Sequence, residues 1–115
     1  EFDSVLETIG KYENEIAGSV TTYLKIMAHR VNPETFAKVT DTIGKYEGKD
    51  AREIALYLET ISDENPEKVS KAAEIIGKYE NKDARIVAKN IIFAVNDNPD
   101  KLDEVLEKYW KPKRR

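Results

Sequence analysis

Apolar residues recur along this chain at intervals of three and four, the spacing that lines one side of an α-helix. Short clusters of Asn, Pro, Gly and Asp separate the stretches that carry the pattern. Phe2, Val5, Leu6, Ile9 and Tyr12 predict a helix over about 2–13. Ile16, Val20, Tyr23, Leu24, Met27 and Val31 predict another after Asn14, weakened by Gly18, Ser19, Thr21 and Thr22. Asn32 then caps a new helix and Pro33 starts it, at a position where proline loses no hydrogen bond. Phe36, Val39, Ile43 and Tyr46 carry that helix over 33–47, and Gly48 ends it at a left-handed cap. Asp50 to Glu53 opens the next, with Ala51, Ile54, Ala55, Leu58 and Ile61 inward, as far as Ser62-Asp63-Glu64. Asn65 caps and Pro66 starts a helix bearing Val69, Ala72, Ala73, Ile76 and Tyr79, and Asn81-Lys82 makes a turn. Asp83 caps a helix with Ala84, Val87, Ala88, Ile91, Ala94 and Val95 inward. Asn98-Pro99 opens a last helix over 99–110, with Leu102, Val105, Leu106 and Tyr109 inward. No stretch alternates with period two, so the expected fold is all-α with about seven helices.

One phrase is said three times: Thr8-Ile9-Gly10-Lys11-Tyr12-Glu13, Thr42-Ile43-Gly44-Lys45-Tyr46-Glu47 and Ile75-Ile76-Gly77-Lys78-Tyr79-Glu80. The glycines are about 33 residues apart, and a proline follows each by about 22, at Pro33, Pro66 and Pro99. This divides a single domain, 1–110, into repeats 1–34, 35–67 and 68–100 with a capping helix 101–110, followed by a basic tail 111–115. Trp110 stands where the other copies have glycine, so the last helix reads as a half-repeat that closes the stack.

In plan this resembles the tetratricopeptide and HEAT-like helical-hairpin repeats, although Tyr12, Tyr46 and Tyr79 follow their glycines by two residues where the tetratricopeptide pattern has three. The resemblance implies an α-solenoid and the general use of such stacks as protein-binding surfaces. It carries over no ligand-contacting residue.

Composition narrows the function further. The chain has 36% charged and 40% apolar residues and a net charge of −3. Lys108, Lys111, Lys113, Arg114 and Arg115 put five positive charges in its last eight residues, which leaves −8 on residues 1–107. Without cysteine there is no disulfide, thiolate metal site or cysteine nucleophile, and a cytoplasmic location is expected. No apolar run approaches the roughly 20 residues of a membrane span. The Lys- and Glu-rich, Gln-free composition points to a hot environment. Glu1-Phe2, a dipeptide that a common cloning site encodes, gives the expectation that the chain is part of a longer polypeptide.

Candidate chemistry is sparse. Gly10, Gly44 and Gly77 sit inside the expected helices, where glycine costs about 1 kcal/mol relative to alanine. A cost taken three times implies that a neighbouring helix crosses closely there. Tyr12, Tyr46 and Tyr79 fall on the apolar stripe and are expected to fill the seam between repeats. His29 reads as a helix C-terminal residue placed against the dipole, and Asn96 to Asp100 as a helix stop and restart, since it lacks the glycine and distal glutamate of a calcium loop. Neither a catalytic pair, a cofactor site nor a small-molecule site is expected. Ile92 and Phe93 put two large apolar side chains at positions that the preceding copy fills with Glu59 and Thr60. With Tyr109 and Trp110 they form the expected partner interface. The resulting reading is a non-enzymatic interaction or scaffold domain that binds a protein or a copy of itself through the repeat groove or the apolar end face. The alternative is an accessory nucleic-acid binder using Lys108, Lys111, Lys113, Arg114 and Arg115.

Overall fold

The computed structural model describes residues 14–110. Its α-helices are α1 (Asn14–Ala28), α2 (Pro33–Ile43), α3 (Gly48–Glu64), α4 (Val69–Ile76), α5 (Asn81–Asp97) and α6 (Leu102–Trp110). Single 3-10 turns, Pro66–Lys68 and Pro99–Lys101, lead into α4 and α6. Among the described residues there is no strand. The expected helix over 2–13, with Gly10 and Tyr12, and the tail residues Lys111, Lys113, Arg114 and Arg115 lie outside the described residues, as do the side chains of Val95 and Trp110.

The helices form two layers. The long ones make the first, α1 on α3 and α3 on α5, and the short ones make the second, α2 on α4 and α4 on α6. The slab measures 35 × 33 × 22 Å, and its core lies between the layers. Into it α3 sends Ala51, Ile54, Ala55, Leu58 and Ile61, and α5 sends Ala84, Val87, Ala88 and Ile91 at the same spacings. The buried alanines four apart, Ala51 and Ala55 on α3 and Ala84 and Ala88 on α5, leave room for a neighbouring helix, and the branched side chains beside them fill the core. From the second layer come Val39 and Ile43, then Val69, Ala72, Ala73, Ile75 and Ile76, then Leu102 and Leu106. Ion pairs tie neighbours within each layer. Arg30, just after α1, reaches Glu59 at 2.9 Å and Asp63 at 3.4 Å, and Arg85 on α5 reaches Asp50 at 3.1 Å and Glu53 at 3.6 Å. In the second layer Lys38 meets Glu74, and Lys71 meets Glu107.

Several helix ends differ from the expectation, each for a local reason. α2 stops at Ile43 rather than 47, and α4 at Ile76 rather than Tyr79. In both, the last turn tightens: Lys45 and Tyr46 N–H donate to Thr42 and Ile43 carbonyls, and Lys78 and Tyr79 N–H to Ile75 and Ile76. Gly44 and Gly77 are therefore helix-end residues, in right-handed backbone conformation, and not interior ones. Asn65 was expected to cap α4 through its side chain, as Asn32 caps α2 by accepting from Thr35 N–H at 2.7 Å. It does not, because α3 runs to Glu64 and Asn65 must also end that helix, its N–H donating to Ile61 O. Asn32 is free of this double duty, since α1 ends at Ala28 and leaves residues 29–31 as a link. Asp83 is likewise not a cap but sits in the first turn of α5, where its charge favours the helix N-terminus.

Gly48 has φ 54°, as a left-handed residue should, but it starts α3 rather than ending α2. Asn81 stands at the same point before α5 with φ 41°. Left-handed backbone costs most L-residues about 1–2 kcal/mol, and asparagine less than most. Gly48→Ala is therefore expected to destabilise the fold by about 1–2 kcal/mol in urea denaturation, and Gly48→Asn by less than half of that.

Candidate functional site

The recurring phrase builds a seam between α2 and α4. Thr42 Oγ1 donates to Ala73 O at 3.2 Å, and Lys45 Nζ to Gly77 O at 3.4 Å. Tyr46, only 2% exposed, places its hydroxyl 2.8 Å from Ile76 O and 2.7 Å from Tyr79 O, and its one proton is shared between these carbonyls. All four acceptors belong to the C-terminal turns of α4 or the residues just beyond; Ala73 O and Ile76 O also accept backbone N–H groups, from Gly77 and Tyr79, so the side chains add second donors there. Burial, and then the nearby Glu80 carboxylate, push the Tyr46 hydroxyl up to about 12. A Cβ on Gly77 would lie 3.1 Å from Lys45 Nζ and 3.3 Å from Ala73 O. What approaches this glycine is thus a lysine ammonium, and the expected close helix crossing is replaced by a lysine seated over a helix end. Lys45, Tyr46 and Gly77 also line an open cleft of about 380 Å³ together with Lys78 and Tyr79.

Along the next step of the second layer the seam changes character. Ile75 replaces the threonine and is fully buried. Tyr79 meets the ring of Tyr109 edge-on, with centroids 6.3 Å apart and planes at 85°. Tyr109, in the register of Ile76, accepts a hydrogen bond from Asn90 Nδ2 at 2.8 Å and so links α6 to α5.

The four residues of the expected interface are placed differently from one another. Ile92 is buried, at 8% exposure, in the register of Glu59, the residue that receives Arg30 from the preceding helix. Phe93 is 58% exposed, with Lys89 Nζ 5.8 Å from its ring centre. Tyr109 is half-buried, and the Trp110 side chain lies outside the described residues. Ile86, 44% exposed and one heptad before Phe93, belongs to the same face and was missed. Its signal was available, because it stands in the register of Glu53, an apolar residue where the preceding copy has a charge. The stripe of α3 that faces α5 carries Asp50, Glu53, Tyr57 and Thr60, all half-buried; its counterpart on α5 is Asp83, Ile86, Asn90 and Phe93, of which only Asn90 is not exposed. In Tyr57 burial raises the hydroxyl pKa, helped by Glu53 and opposed by Arg85.

Of the basic residues, Lys108 is exposed beside Tyr109, with Nζ 5.6 Å from the ring centre. His29 is exposed just past α1, and among the described residues no three His, Cys, Asp or Glu side chains gather as a metal site needs. No described helix is long and apolar enough to cross a membrane. No family model matches this chain, and no curated protein or solved structure does.

Removing the Tyr46 hydroxyl takes the side-chain donor from Tyr79 O and leaves Ile76 O with its backbone donor alone, so Tyr46→Phe should cost about 1–2 kcal/mol. Tyr79→Phe, which keeps the ring contact with Tyr109, should cost less than half as much. Because the folded state holds the Tyr46 proton more tightly than the unfolded chain does, this contribution is complete below about pH 10 and is lost as pH rises towards about 12. Denaturant titrations across that window should show a steeper alkaline loss in the wild type than in Tyr46→Phe.

Proposed function

We propose that the chain is a short right-handed α-solenoid of helix hairpins, capped on one layer by α6, that serves as a non-enzymatic protein-interaction or scaffold domain in a reducing compartment such as the cytoplasm. It binds a protein or a copy of itself through the end face at α5. The observation that carries this reading is the exposure of Phe93 and Ile86, at 58% and 44%, on one face of a helix whose other described large apolar side chains, Val87, Ile91 and Ile92, are buried. Isolated exposed apolar residues are ordinary, but here two lie seven apart on the side that, one helix earlier in the same layer, is covered by α5 itself. The shift from Glu53 and Thr60 to Ile86 and Phe93 makes that side more apolar where the described chain covers it least.

If Phe93 serves binding and not folding, Phe93→Glu should leave stability within about 0.5 kcal/mol while reducing the fluorescence of a bound apolar dye by at least half. A loss of more than about 2 kcal/mol would put the ring in the core and remove this reading. DNA or RNA bound at micromolar protein and low salt, and released by Lys108→Glu, would replace it with the basic-tail alternative.

A further inference from the structure

We propose that the open side of α5 and α6 takes one further helix, an amphipathic segment of a partner polypeptide that presents a basic residue to Asp83 and apolar residues to Ile86 and Phe93. This rests on the interaction-domain reading above and gives its partner a shape and a chemistry. The interface between α3 and α5 supplies the template. There Arg85 of the incoming helix lies 3.1 Å from Asp50 and 3.6 Å from Glu53. One step further, Asp83 keeps the carboxylate and is exposed, while Ile86 and Phe93 offer apolar contact in place of Glu53 and Thr60.

The second layer shows why the occupant is one helix and not a hairpin. α6 already lies against α4 and α5, so the short-helix position of the next pair is filled, and among the described residues no long helix accompanies it. The inner face of α6 is less covered than that of α4. Ala72 and Ile76 of α4 are wholly buried, whereas Val105 and Tyr109, at the same register on α6, are half-buried. Val105 and Tyr109 are thus the second wall of a site whose first wall is Ile86 and Phe93. A helix laid there, parallel to α5, covers both walls with residues three, four and seven apart, the way amphipathic helices enter apolar grooves.

A suitable probe is a fluorescein-labelled helical peptide of residues 81–97 of this chain, carrying Ile86→Glu and Phe93→Thr so that its outer face copies α3. It is titrated by anisotropy with the full 115-residue protein. Saturable binding is expected, weakened at least tenfold by Phe93→Glu and by Asp83→Lys in the protein, with the Asp83→Lys loss recovered by a peptide that also carries Arg85→Glu. No saturable binding, or binding indifferent to both substitutions, overturns the proposal. So does a concentration-dependent dimer, seen by sedimentation equilibrium, that Phe93→Glu dissociates and the peptide does not displace: a second copy then holds the place, and the interaction-domain reading survives. A Phe93→Glu protein that no longer melts cooperatively instead removes that reading itself.

Discussion

A helix that ends against another element leaves carbonyls with no intrahelical donor, and each such group left dry costs on the order of 1–3 kcal/mol. This chain meets that constraint in part with tightened backbone turns, Gly77 N–H to Ala73 O and Tyr79 N–H to Ile76 O, and in part with side chains from the neighbouring helix. Thr42, Lys45 and Tyr46 leave the end of α2 and donate to Ala73, Gly77, Ile76 and Tyr79 at the end of α4. One short stretch therefore has two duties, since its own backbone forms the tightened last turn of one helix while its side chains satisfy the last turn of the next. The glycine belongs to this arrangement. Without a Cβ at Gly77 the Lys45 ammonium can settle over the helix end, where a positive charge is favoured by the dipole as well as by the carbonyl.

The two layers are held by different means. In the first layer, alanines on α3 and α5 leave room for a neighbouring helix, and arginines fix the register by bridging two acids each. In the second layer, helices of 11, 8 and 9 residues bury less area apiece, and the side-chain-to-backbone seam takes a larger share. The Lys38–Glu74 and Lys71–Glu107 pairs are partly exposed, so each contributes at most about 1 kcal/mol. Their value lies more in opposing slippage between helices than in strength. Lys68 with Asp103 adds a third contact of the same kind, and that partner raises the lysine pKa.

The apolar periodicity and the proline spacing made the existence, order and inner faces of α1 to α6 legible, because burial of an amphipathic stripe dominates where a helix can form. Helix ends were less legible, because they depend on hydrogen bonds reaching in from another element. Tyr46 lies on the helical stripe by count, yet it is past the end of α2, and only the distant Ile76 and Tyr79 carbonyls explain its burial. Asn65 reads like Asn32, but the length of α3 denies it the backbone geometry a cap needs. At the candidate face, Phe93 stood out because it is large, while Ile86 looked like one more apolar residue. Its signal lay in the comparison with Glu53 at the same register, and the Arg85 pairing of Glu53 shows what that position does one helix earlier.

The two layers also end differently. Along the second layer the lysine at Lys38 and Lys71 becomes Glu104, the threonine at Thr42 has become Ile75 one step earlier, and the isoleucine at Ile76 becomes Tyr109. A further short helix bearing an acid at the position of Glu107 would meet Glu104 with like charge, and it would find no threonine in the place that Thr42 holds. Those changes disfavour a further short helix of the same kind. Along the first layer the acid at Asp50 persists as Asp83, and the polar residues beside it give way to Ile86 and Phe93. Charge that can receive a basic residue is kept, and apolar area is added. Such substitutions suit a surface that is to be covered, because a solvated end would gain nothing from exchanging Glu and Thr for Ile and Phe. On the proposed reading the short-helix layer closes at α6, and the long-helix layer accepts one more helix in the space beside α5 and α6.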